Sequence, residues 1–104
     1  MFGDQRSKRV VLVAHCLLNQ NARMDGYAFF PGAMDGLARV LLNSEVGVLQ
    51  MPCPELVCLG LGREGHRALE IGIREALSAG EGEACCREMA HQLVYQIKQY
   101  RQYG

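Results

Sequence analysis

A chain of 104 residues suffices for one domain with one modest core. Its 11 basic and 11 acidic side chains cancel, Trp is absent and aromatics are 7%, which argues against a nucleic-acid surface. Its 49% apolar residues form no run near the roughly 20 residues that a membrane span needs.

The first eight residues are polar. Val10-Val11-Leu12-Val13-Ala14 reads as a strand over about 9–14, ending at His15-Cys16. The stretch from Cys16 to Gly26 is polar and rich in turn residues, and Asp25-Gly26 marks a turn. Met34, Leu37, Ala38 and Leu41 recur at helical spacing, so a helix is expected over 32–44. A second strand follows at 46–51 and meets Pro52-Cys53-Pro54-Glu55. The two prolines fix φ and remove two backbone donors, so that strand should end on a stiff loop carrying Cys53.

Strand, helix and strand in this order allow parallel pairing. Cys16 and Cys53 then leave the same edge of the sheet, where open α/β sheets place their chemistry. Residues 56–65 read as a Gly-rich linker without the ending of a P-loop. A helix is expected over 66–78 and a last one over about 83–102, closed by Gly104. The fold class is therefore α/β, a two-layer or three-layer Rossmann-like unit ordered β-α-β-α-α with a short parallel sheet. Two strands make a thin sheet. The missing partner is either a third strand beyond residue 104 or a second subunit, so a homodimer is among the expectations.

Five cysteines in 104 residues are unusual. An odd count with Cys85 and Cys86 adjacent is a poor disulfide framework. No apolar segment of the kind that drives secretion follows the charged amino terminus, so a cytoplasmic, reducing setting is expected. Cys16 and Cys53 are then either metal ligands or nucleophiles, or small buried side chains at strand ends. Cys58 can reach back across its loop. Cys86 falls on the apolar face of the last helix, and strand alternation turns His15 away from Cys16. Glu55 is a candidate proton carrier beside Cys53 or a cap for the next segment. Asn19 and Asn21 offer amide donors and acceptors. Arg23 and Asp25 read as a local brace or a ligand anchor, and Arg63, which follows glycines, as a side chain that binds an anion or covers the site.

Two motifs carry a resemblance. Cys16-Leu17-Leu18-Asn19-Gln20-Asn21-Ala22-Arg23 with Asp25-Gly26, then Met51-Pro52-Cys53-Pro54-Glu55-Leu56 and Leu59-Gly60-Leu61-Gly62-Arg63, resemble the DUF523 family, in the branch related to the thiouracil desulfidase TudS. The resemblance implies a 4Fe–4S cluster on three cysteines, with Cys16 and Cys53 matching the first two ligands. It implies hydrolytic removal of sulfur from a small thiolated molecule such as a nucleobase. Proximity to Cys53 alone makes Glu55 the proton-transfer candidate, and Asn19, Asn21, Arg23, Asp25 and Arg63 are the polar side chains that could hold the substrate. The family's third cysteine follows one more strand, and this sequence stops before that motif. An amino-terminal family fragment with two ligands and no complete cluster is the expectation. The alternatives are a small α/β binding or structural module with buried cysteines, and a zinc-binding thiol protein that draws in Cys58 or His15.

Overall fold

In a computed structural model, which describes residues 2–104, there are two strands and six helices, two helices between the strands and four after the second. Strand β1 (Val10–Ala14) pairs in parallel with β2 (Gly47–Met51), and Val10 lies opposite Gly47 and Ala14 opposite Met51. The fold is thus mixed α/β around a two-stranded parallel sheet.

The helices begin and end where local chemistry dictates, and several bounds differ from the sequence pattern. Helix α1 (His15–Leu18) takes over from β1 at once, so His15 and Cys16 are helical rather than the end of a strand. A 3-10 turn spans Gln20–Ala22. Helix α2 (Asp35–Asn43) starts three residues later than the apolar spacing suggests. The reason is competition for backbone groups: Met34 N–H donates to the Leu17 carbonyl at 2.9 Å, and the Gly32 carbonyl accepts from Gln20 N–H at 2.7 Å. Those bonds tie Gly32 to the 3-10 turn and the Met34 N–H to α1, and the Met34 carbonyl joins the helix by accepting from Ala38 N–H at 3.0 Å.

Helix α3 (Pro54–Leu59) occupies part of the stretch read as a linker. Pro54 stands at its first position, where a missing N–H costs nothing, and Glu55 sits in the first turn. Gly60, with φ of +84°, stops it. The single helix expected over 66–78 is broken into a 3-10 turn at Gly65–Arg67, α4 (Ala68–Ile71) and α5 (Ile73–Ser78). His66 and Arg67 take left-handed φ, and Gly72 with φ of +100° separates α4 from α5. Helix α6 runs Gly80–Gln102.

The core is small and lies away from the sheet. Leu59, Ala68 and Ala76 are buried together, with Ile73 and Leu77 packed against them. Val13 is the buried residue of the two strands, and α2 buries none of its side chains. The Cα trace spans 52 × 31 × 13 Å with a radius of gyration of 16.3 Å. A compact chain of this length has about 13 Å, so the molecule is an open slab. No helix among the described residues is long and apolar enough to cross a membrane.

Candidate functional site at the carboxyl edge of the sheet

The paired ends of the strands set this site. Ala14 lies opposite Met51, so Cys16 and Cys53 each stand two residues past the last matched pair. Cys16 is the second residue of α1, and Cys53 immediately precedes α3. Both are free thiols and half-buried. Gln50 Nε2 donates to the His15 carbonyl at 2.9 Å and ties β2 to the start of α1.

Gln20 shapes the loop above the thiols. It is 2% exposed. Its Nε2 donates to the Cys16 carbonyl at 2.8 Å, and its Oε1 accepts the Phe29 N–H at 3.0 Å. One side chain thus bridges α1 and the far end of the loop. The motif does not by itself mark Gln20, although a Gln amid turn residues is a signal for such a brace.

Arg63 anchors the opposite wall. Its side chain is 3% exposed, and its Nε donates to Glu55 Oε1 at 3.2 Å. Nη1 donates to the Leu61 carbonyl at 2.9 Å and more weakly to Gly60 at 3.3 Å, and Nη2 donates to the Ala22 carbonyl at 2.6 Å. Arg63 therefore joins α3, the Gly-rich turn and the 16–32 loop from inside, with its guanidinium turned to protein acceptors. Glu55, 40% exposed at its side chain, is its ion-pair partner.

The polar residues of the loop are arranged more loosely. Asn19 Oδ1 accepts the Asn21 N–H at 3.2 Å, which leaves the Asn19 amide donors free of that bond. Asn21 and Asp25 are exposed and Arg23 is half-buried. The ion pairs among the described residues do not join Arg23 to Asp25.

The cysteines overturn the cluster expectation. Among the described residues no three His, Cys, Asp or Glu side chains gather in a way that could hold a metal ion. Cys16 and Cys53 have no third ligand beside them, and a 4Fe–4S cluster requires three or four thiolates. The iron–sulfur cofactor, and the desulfidase chemistry that depends on an open iron, are therefore set aside for this chain. A zinc site fails for the same reason, because Cys58 is already bonded to Cys85. That bond corrects a second expectation. Cys58 and Cys85, 27 residues apart, form a disulfide that fastens α3 to α6, and Cys58 Sγ also lies 3.7 Å from Met89 Sδ. Cys86 remains free on α6.

Comparison with known proteins is sparse. No protein-family model matches the sequence, so no family model supports the resemblance drawn from the two motifs. No solved structure matches. "Uncharacterized protein MJ0003" of Methanocaldococcus jannaschii is 30% identical over 96 residues, which cover 92% of this chain and 58% of that relative. The chain thus spans less than three fifths of the relative's length.

Proposed function

We propose that this chain is a small α/β binding module whose ligand site is the carboxyl edge of the sheet, between the free thiols Cys16 and Cys53. The observation that carries the reading is the strand register, which sets both thiols two residues beyond the pair Ala14 and Met51. The ligand we infer is a small thiolated heterocycle, bound reversibly. The thiols offer polarisable sulfur to a thiocarbonyl, and the amides of Asn19 and Asn21 offer donors and acceptors to ring nitrogens and oxygens. The resemblance to the DUF523 family supports that ligand class and, with it, a Rossmann-like relation of sheet and helices. Membership in that family is part of this proposal.

The test is a titration of the full chain, with its disulfide intact, by 2-thiouracil and by uracil, followed by NMR. Shifts confined to residues 14–23 and 51–56 with the thiolated compound alone, together with slowed alkylation of Cys16 and Cys53, are expected. Equal shifts with uracil, or no shift with either, would show that the thiols only pack the strand ends.

A further inference from the structure

Helix α6 outruns the elements that support it. Its 23 residues extend for about 34 Å at 1.5 Å per residue. The first turns lie on α3 and α5, where Cys85 is bonded to Cys58 and Gly82 abuts Ala76. The last turns pass the sheet face that carries Val10, Leu12 and Leu49, and open grooves separate the two. One groove of about 400 Å³ runs between Leu12 and Leu49 on the sheet and Ile97 and Tyr100 on the helix. A second of about 830 Å³ continues past the amino ends of the strands to Tyr103. Val10, Leu12, Val94 and Tyr100 are all exposed.

The whole surface carries the same imbalance. The chain exposes 7497 Å², whereas a compact monomer of its 11.5 kDa exposes about 5,800 Å². The excess is roughly 1,700 Å² per chain, or about 3,400 Å² for two chains, which lies within the range of obligate dimer interfaces. A formal charge of zero sets up no net repulsion between two copies.

We propose that a second copy of this chain closes these grooves. The carboxyl-terminal halves of the two α6 helices run antiparallel about a two-fold axis. Ile97 and Tyr100 of each copy enter the groove of the other and cover Leu12 and Leu49. A two-fold contact uses the same patch on both copies, so one patch satisfies both surfaces. Leu42 on α2, 80% exposed and apart from the residues lining either groove, supplies a control position.

Sedimentation equilibrium of the full oxidised chain tests this at micromolar concentration. The expected mass is twice 11.5 kDa, with Leu12→Lys and Tyr100→Glu each raising the dimer Kd at least about tenfold and Leu42→Glu leaving it unchanged. Tyr100 is already half exposed, so its variant should keep its helical circular dichroism. Independently, a sample mixing labelled and unlabelled copies should give intermolecular NOEs between the methyl groups of Ile97 and Leu49. A concentration-independent monomer, a dimer broken by Leu42→Glu alone, or the absence of those NOEs in a dimer would overturn the proposal.

Discussion

Arg63 is joined to Glu55 by an ion pair of 3.2 Å in which the arginine is almost wholly buried and the glutamate is not. The asymmetry assigns different weights to the two side chains. Arg63 also satisfies carbonyls of Ala22, Gly60 and Leu61, and its own backbone holds a left-handed φ of +60°. Such a conformation persists where the surroundings over-determine it. Arg63→Met should therefore cost about 1–3 kcal/mol, as expected when buried carbonyls lose their donor, while the half-exposed Glu55 charge returns to water. Arg63→Lys should recover little of it, because a single ammonium cannot reach three directions. Glu55→Gln, at the half-exposed end, should cost about 1 kcal/mol or less. Urea unfolding of the three variants checks the order.

The Cys58–Cys85 bond closes a loop across 27 residues. The chain-entropy treatment gives a stabilisation of about 3.5 kcal/mol for a loop of that size. With so small a core, that is a large share of the total stability of a domain. Reduction, or Cys85→Ser, should lower the denaturant midpoint accordingly and increase amide exchange in α3 and the start of α6. Cys86→Ser leaves the bond intact and should shift the midpoint by less than about 1 kcal/mol equivalent.

The two strands and their parallel pairing are legible in two apolar runs separated by a crossover, whereas the register, Val10 opposite Gly47, is not. The common edge of Cys16 and Cys53 followed from the same pattern. Helix α3 is not legible in the sequence, because Pro52-Cys53-Pro54-Glu55 also reads as the end of a strand. The same Pro54-Glu55 is a helix start when Pro falls at the first helical position. The pairing of Cys58 with Cys85 was invisible for a different reason. It depends on α3 packing against α6, a long-range contact that no spacing encodes, and an odd count with Cys85 and Cys86 adjacent reads as a poor disulfide framework. Arg63 had the right prominence and a different use: the glycines around it suggested access to an anion, whereas they let the chain fold the guanidinium inward.

Gln20 makes two side-chain bonds from a buried position, at 2.8 Å to Cys16 and 3.0 Å to Phe29. Gln20→Leu should leave the Cys16 carbonyl and Phe29 amide without these partners, at a cost of about 1–3 kcal/mol. The local effect is the sharper one. Exchange of the Phe29 amide should rise well above that of α6, and Cys16 should alkylate faster than in the parent chain.

Arg6 holds the Asp4 carboxyl below its usual 3.8, chiefly through their side-chain hydrogen bonds of 2.7 and 2.6 Å. A depressed carboxylate contributes above its ordinary pKa and loses that contribution as pH falls through the lowered value. The window therefore lies below pH 3.8. Arg6 also lies 3.8 Å over the Phe2 ring, whose centroid is 5.7 Å from that of Tyr103. Acidification should loosen this contact locally. Asp4→Asn should do so at neutral pH, with weaker Phe2–Tyr103 NOEs and an unchanged global unfolding midpoint. Both charges are exposed, so added salt should act in the same direction.

Gly82 sets how closely α5 and α6 approach. A Cβ there would stand 2.9 Å from the Ala76 carbonyl carbon and 3.4 Å from Leu77 Cα, with the Ala76 carbonyl oxygen closer still. These are backbone atoms, which cannot rotate away as a flexible side chain can. An alanine normally favours a helix over glycine by nearly 1 kcal/mol, so an exposed site would gain from the change. Here the overpacking penalty of about 1–3 kcal/mol or more should win. Gly82→Ala is therefore expected to destabilise the chain and to push α6 off α5. Gly36→Ala, in α2 with open space around it, should stabilise instead. The opposite signs of the two substitutions in thermal unfolding check that the α5–α6 contact, and not helix propensity, decides the outcome.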